Sequence, residues 1–346
     1  MIMTTLLRLT IRVLFALIPA RALNTVLDVL ARRIEATGNV WFTYHLRPHK
    51  SLPLRFYKSG IIEQKTAVII QGPILENHDF TLSSVEMYRR IIPGAHLIVS
   101  TWKNAPEYLV EHLRTLNAEV VLSEPPQISG IANVNYQIIS SRAGIDAAVK
   151  SGRTFILKCR TDQRFFAPGI FEFFENLMRD FPVRNTDGQR ERIIATSLNT
   201  FMYRPYSLSD MFLFGTLTDM QKYLDVPLDN RTGRPDYPNL AAWARDEPAE
   251  AQLVLHFLRE TGHDPKFTLR DSWQVFADRF CIVDAESIDL YWPKYDRMRE
   301  YRYRFYDQEK TNRELRWMDW LNLYHADLND IEVPEDVLNK AMGDAL

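Results

Sequence analysis

The feature that most constrains this chain is a regular alternation between residues 66 and 160, where apolar runs of strand length are separated by segments with helically spaced apolar residues. Strands are expected over 66–72, 95–100, 119–122 and 155–160, with helices over 80–92, 105–116 and 135–150. Gly72-Pro73, Pro93-Gly94 and Gly152 punctuate the boundaries. Runs with no polar face, such as TAVIIQG (66–72), belong to strands covered on both sides. Strand–helix–strand repetition of this kind requires crossovers in a mostly parallel sheet. The expected class is therefore α/β, a mostly parallel central sheet with flanking helices.

The second half changes character. Strands are expected over 192–197, 211–215 and 279–284, with helices over 218–224 and 250–261. An aromatic-rich loop fills 201–209, and a long loop rich in Pro, Asn and Arg fills 226–246. These elements define one α/β domain over about 60–290. It is flanked by an N-terminal arm over 1–50 and by a C-terminal basic and aromatic segment with a helical extension over 291–346.

With 346 residues and a formal net charge of −2, nothing global argues for a nucleic-acid partner. The two cysteines, Cys159 and Cys281, lie in apolar runs and make no disulfide framework, which suits reduced thiols and a cytosolic face. Charge is uneven along the chain. Residues 1–50 hold seven Arg or Lys against Asp28 and Glu35, and the chain from Asp307 onward is acidic. The longest uncharged apolar stretch of the arm, residues 13–20, is far short of the ~20 residues a spanning helix needs. Three readings remain: an amphipathic helix lying on an anionic membrane surface, a helix packed on the protein's own core, or a signal peptide cleaved near Ala20-Arg21-Ala22. The interfacial helix is the preferred reading.

Ligands of open α/β sheets bind at the carboxyl ends of the strands. The run Phe155-Ile-Leu-Lys-Cys-Arg-Thr-Asp162 ends there in a polar turn bearing one carboxylate. Along the chain lie AVIIQGPI (67–74), LIVSTWK (97–103), NVNYQI (133–138), LKCRTD (157–162), SDMFLFG (209–215), AEAQL (249–253) and WPKY (292–295). In their order and spacing, over residues 66–295, the chain resembles the WavE lipopolysaccharide-synthesis proteins, a bacterial group of glycosyltransferase-like enzymes. The resemblance implies a GT-A-like fold, a nucleotide-sugar donor, and an acceptor in lipopolysaccharide core or another surface polysaccharide.

Site residues are assigned on that footing. Gln71, Gly72 and Pro73 make a tight turn that either holds a nucleobase or only ends a strand, and the Ser100 hydroxyl at the next strand end suits the nucleotide. Asn135 either caps the third helix or faces the donor; Arg142 either meets the diphosphate or lies on a solvated face. GT-A enzymes carry Asp-x-Asp where this chain has Arg160-Thr161-Asp162. Asp162 alone is left to hold Mn²⁺ or Mg²⁺ or to meet the donor sugar, and Arg160 either offers a guanidinium to offset the leaving diphosphate or pairs with Asp162 at the sheet edge. Sugar transfer also needs a base for the acceptor hydroxyl. Glu250 and Asp210 both qualify, though Glu250 could be only a helix-dipole partner and Asp210 only a turn cap; Glu250 is the preferred base and Asp210 a sugar or acceptor ligand, with Glu247 the nearest competitor. Lys294 and Tyr295 begin a basic and aromatic segment placed to fold over the diphosphate.

The chain has no Walker A loop, no G-x-G-x-x-G after its first strand and no zinc-ligand cluster, and Pro48 keeps His45 and His49 off one helix. Two rival functions remain. A sugar nucleotidyltransferase would need a glycine-rich basic loop after the first strand; a non-catalytic membrane-associated scaffold would explain the missing first Asp. The expected location is the cytoplasmic face of a bacterial inner membrane, peripherally attached.

Overall fold

The structure is a computed structural model that describes residues 10–11, 13–37, 60–233, 235–293 and 313–340. The chain divides into two compact units, Met1–Pro48 and His49–Leu346. In the first, a 3₁₀ turn (Ala20–Ala22) leads into helix α1 (Leu23–Glu35). Arg32 and Asp28 pair across one turn of it at 2.9 Å. Apolar side chains stand in solvent throughout this unit, among them Val13, Leu14, Leu17, Leu23, Val29 and Leu30. Among the described residues, no helix is long and apolar enough to cross a membrane.

The second unit opens with a single turn, α2 (Ile61–Gln64), and enters strand β1 (Thr66–Gln71), every residue of which is buried. The alternation continues through α3 (Phe80–Ile91), β2 (His96–Trp102), α4 (Glu107–Thr115), β3 (Glu119–Ser123), α5 (Val134–Lys150) and β4 (Phe155–Arg160). Expected and observed boundaries differ by one to two residues here, the usual fraying of element ends. A two-residue strand β5 (Arg164–Phe165) and helix α6 (Ile170–Asp180) follow. Next come β6 (Ile193–Thr196), β7 (Leu213–Thr216), α7 (Leu217–Leu224), α8 (Leu240–Asp246), α9 (Glu250–Glu260), α10 (Leu269–Arg279), β8 (Phe280–Val283), β9 (Leu290–Tyr291) and α11 (Trp317–His325).

Seven strands form one sheet in the order β3-β2-β1-β4-β7-β6-β8, while β5 and β9 pair separately. All neighbours are parallel except β7, which runs antiparallel to both β4 and β6. Register aligns Gln71 with Ser100 on one side and Arg160 on the other, so three strands end level and their polar followers gather on one edge. Side chains alternate between faces along each strand. Phe214 of β7 meets Phe171 and Phe174 of α6, whereas Lys158 of β4 turns to the opposite face and meets Gln137 of α5. Helices α5, α7 and α9 build the layer over that second face.

Two expectations are corrected. The loop placed over 226–246 contains helix α8, whose Asn239 side chain caps it by accepting from Ala242 N at 2.9 Å. Helices α6 and α10 were not anticipated, although their buried residues keep a helical spacing, Ile170, Phe171, Phe174, Leu177 and Met178 in α6 and Leu269, Trp273 and Phe276 in α10. Residues 317–325 pack directly on the sheet's edge. Trp320 is fully buried, donates to the carbonyls of Phe276 (2.9 Å) and Phe280 (3.0 Å), and stacks between Trp317 and Tyr324. Buried Arg192 completes this cover through the carbonyls of Ala277 and Phe280, both at 2.7 Å.

Candidate functional site

The level strand ends carry the first part of the site. Gly72 follows β1 with φ 122°, a conformation that needs glycine, and a Cβ there would stand 2.9 Å from Thr161 Oγ1. Thr161 ties the β4 turn to this one: its hydroxyl donates to Pro73 O at 2.6 Å and its amide donates to Gln71 O at 3.0 Å. Pro73 lies exposed at the rim. Gln71 and Ser100, expected to touch the nucleotide, are turned inward. Ser100 Oγ donates to Ser140 O (2.7 Å), and Ser140 Oγ donates to Gln71 Oε1 (2.5 Å). Ser100 is 0% exposed, so its hydroxyl serves the β2–α5 contact and presents nothing to a ligand.

Asn135 and Arg142 are likewise structural. The Asn135 amide donates to the carbonyls of Ile128 (2.8 Å) and Asp229 (2.7 Å) and accepts from Asp229 N (2.8 Å), clamping the 229 loop rather than capping α5. Arg142 binds the carbonyls of Leu224 (3.1 Å) and Val226 and pairs with Asp225 at 3.1 Å, so its charge meets the end of α7 and not a diphosphate.

At the end of β4, Arg160 and Asp162 form a two-point ion pair, Nε–Oδ1 at 2.8 Å and Nη2–Oδ2 at 3.1 Å. Trp292, just beyond β9, donates its indole N–H to Asp162 Oδ2 at 3.1 Å and lies under the guanidinium, 5.3 Å from its ring centre. Burial acts to raise the Asp162 carboxyl, but the Arg160 guanidinium and the Trp292 indole outweigh it and hold it below the ordinary range. Both oxygens are thus engaged, and among the described residues no group of three or more His, Cys, Asp or Glu could hold a metal ion. This donor set does not fit a divalent cation.

The second part lies beneath β4. Lys158 is 0% exposed; its ammonium donates to Asp210 O and to Gln137 Oε1 (3.4 Å) and stands 3.6 Å from Asp210 Oδ2. Burial lowers the Lys158 ammonium, partly opposed by Asp210. Asp210 itself is 1% exposed, and neither carboxylate oxygen accepts a hydrogen bond from a described residue. An acceptor ligand must be reachable, so this seal corrects the role expected for Asp210. Glu250 opens α9 and is half-buried. Burial, then the negative charge of Asp210, push its carboxyl up to about 7, against the opposing pull of Arg204 and Lys158. The Tyr223 hydroxyl on α7 feels both carboxylates; burial foremost, then Asp210 and Glu250, raise it well above its ordinary value. Glu247, the competing base, is taken by Arg259 in a two-point pair, one arm at 2.9 Å.

Glu250 is also reached by strained backbone: Glu247 and Ala249 have φ of 50° and 43°, and neither is glycine. Such outliers cost about 1–3 kcal/mol each and cluster where a side chain must be aimed. The structure therefore brings Glu250 and Asp210 into one electrostatic cluster and adds Lys158, Arg204 and Tyr223, which the sequence reading missed. A lysine inside an otherwise apolar strand was the legible signal for Lys158; nothing local marks the other two. Lys294 and Tyr295 lie outside the described residues. Burial pushes the Cys159 thiol up to about 12, so it supplies no thiolate.

The α/β domain thus gathers charged side chains at and below the ends of its parallel strands. The chain belongs to the WavE lipopolysaccharide synthesis family, whose model matches residues 66–338. No curated protein matches it. Among solved structures it is similar to a cytidylyltransferase from Leptospira borgpetersenii at 14% identity, over 47% of this chain and 65% of that one, with a TM-score of 0.29. It thus spans just under two thirds of that protein. It is also similar to glucosyl-3-phosphoglycerate synthase from Mycobacterium tuberculosis, at 9% identity over 63% of this chain and 89% of that one, with a TM-score of 0.30. Neither likeness bears on chemistry at this level.

Proposed function

We propose that this protein is a glycosyltransferase moving a sugar from a nucleotide-sugar donor to a hydroxyl of lipopolysaccharide core or another surface polysaccharide. One observation carries the reading: Glu250, a half-buried carboxylate aimed by strained backbone, changes protonation near neutral pH beside a sealed charge pair. General bases work best with a pKa near the working pH. In the transfer step the acceptor hydroxyl gives its proton to Glu250 as its oxygen bonds the anomeric carbon. The bond from that carbon to the diphosphate breaks, and its electron pair leaves on the phosphate oxygen. Phosphate oxygens match the guanidinium fork, so the donor diphosphate competes with Asp162 for Arg160. Asp162, once released by Arg160, is free to accept from a donor-sugar hydroxyl. Lys294 and Tyr295 remain proposed donor contacts. The exposed apolar residues of the first unit support peripheral attachment to an anionic membrane, at the cytoplasmic face of a bacterial inner membrane.

Calorimetric titration with UDP, GDP, CDP and CMP, each with Mn²⁺ and with EDTA, tests this on wild type and Asp162→Ala. Micromolar binding of one nucleotide, weakened at least tenfold by the substitution, is expected, and the EDTA arm decides whether a cation takes part. Absence of binding to every nucleotide would overturn the reading in favour of a scaffold.

A further inference from the structure

The loop that carries Arg204 toward Glu250 is held by a residue in a conformation it disfavours. Ser207 N donates to Arg204 O at 3.2 Å, closing a four-residue turn over Arg204-Pro205-Tyr206-Ser207. Tyr206 occupies its third position with φ 59°, where such turns normally carry glycine. Strain of this kind persists only where the surroundings over-determine it. They do so here. Tyr206 N donates to Ser272 Oγ (2.9 Å), Tyr206 Oη donates to Asp271 Oδ2 (2.5 Å), and Phe267 N donates to Tyr206 Oη (2.9 Å). Asp271 is fixed in turn by Lys266 N at 3.1 Å and by His263 Nε2 at 3.2 Å. The Tyr206 ring is fully buried and meets Phe267 edge-on. On the other arm of the turn, Arg204 is buried with its guanidinium 4.2 Å from the centre of the Phe201 ring.

We propose that Tyr206 is a positioning residue: clamped to α10 through Asp271 and Ser272, it closes the turn that presents Arg204 to Glu250. The proposal rests on Glu250 being the base of the transfer reaction. The clamp's partners are Asp271, Ser272 and Phe267, and none of them is a donor-site residue named above. Glu250 is faced by Arg204 from this loop, Asp210 from the segment before β7, Lys158 from β4 and Tyr223 from α7. Arg204 is the member that opens the turn, its carbonyl accepting from Ser207 N.

The test pairs Tyr206→Phe, which keeps the ring and removes the hydroxyl, with Arg204→Met. The carboxyl of Glu250 is followed by ¹³C NMR titration in wild type, each single variant and the double variant, alongside kcat and KM. Withdrawing a cation from Glu250 disfavours its charged form. Tyr206→Phe is therefore expected to move the midpoint above 7 by half a unit or more, lower kcat about tenfold and leave donor KM within twofold. In the Arg204→Met background, Tyr206→Phe should add nothing further. A Tyr206→Phe midpoint equal to wild type, with only a lowered Tm, would overturn the proposal, as would full additivity of the two substitutions. Asp271→Asn, which keeps the site's shape and weakens the same bond, must shift the midpoint in the same direction. The titration reads Glu250 whether or not turnover is found, so failure of the glycosyltransferase reading would appear in the nucleotide titrations and not here.

Discussion

Glu250 and Asp210 are both acids in one buried cluster, yet their surroundings give them different work. Asp210 is sealed and faces an ammonium; Glu250 keeps an open edge and feels Asp210 as a like charge. Removing that like charge favours ionisation of Glu250. In Asp210→Asn the acid limb of kcat/KM should therefore move to lower pH by about one unit, read from pH–rate profiles. If Asp210 bound the acceptor instead, acceptor KM would rise and the limb would stay in place. Glu250→Gln should lower kcat by about 10²–10⁴ and erase the limb. The sign for stability follows from linkage. Because the folded protein holds the Glu250 proton more tightly than the unfolded chain, wild-type stability falls as pH rises from about 4.5 through about 7. Urea denaturation across that range should show this slope in wild type and a smaller one in Glu250→Gln.

At the scale of elements, the parallel half of the sheet was legible because its strands lack a polar face and its helices keep their spacing. The second half was less so. Helix α6 (IFEFFENLMRD) was passed over although Ile170, Phe171, Phe174, Leu177 and Met178 recur at helical spacing, and that face packs Phe171 and Phe174 against Phe214. The candidate site divides the same way. Acids at strand ends and helix starts are visible along the chain, so Asp162 and Glu250 could be named. Whether a polar side chain turns in or out is a property of the assembled layers, which is why the sequence placed Ser100 at the nucleotide and left Asn135 and Arg142 open between donor contact and a structural role. The α5–sheet contact that takes up Ser100 has its own signature in Gly144, where a methyl group would overlap Ile69 Cγ2. Gly144→Ala must push α5 away from β1. A loss of about 1–3 kcal/mol is expected from overpacking of this kind, measured by urea denaturation.

For the whole molecule, the described residues of the first unit include large apolar side chains that stand in solvent. Leu14 and Leu17 are 57% and 77% exposed, beside a basic stretch of sequence. Anionic vesicles containing phosphatidylglycerol should sediment the protein at low salt. Leu14→Asp with Leu17→Asp should reduce the bound fraction at least tenfold, whereas uncharged vesicles should bind weakly in either case. Equal binding of the variant would remove membrane attachment from the proposed function while leaving the catalytic reading intact.

The order of the sheet has a consequence for how the chain is made. Synthesis delivers β3-β2-β1-β4 by residue 160, with β4 as a bare edge until β7 arrives at Leu213–Thr216. An unpaired strand edge invites another chain, and a lysine on it deters that pairing. During that interval Lys158 has neither Asp210 nor β7 beside it, and its charge lies at the growing margin of the sheet. The residue that later anchors the acid–base cluster therefore also protects the nascent half-domain from sticking to its neighbours. Replacing it with an apolar residue would be felt first as aggregation during translation, before any loss of catalysis could be seen.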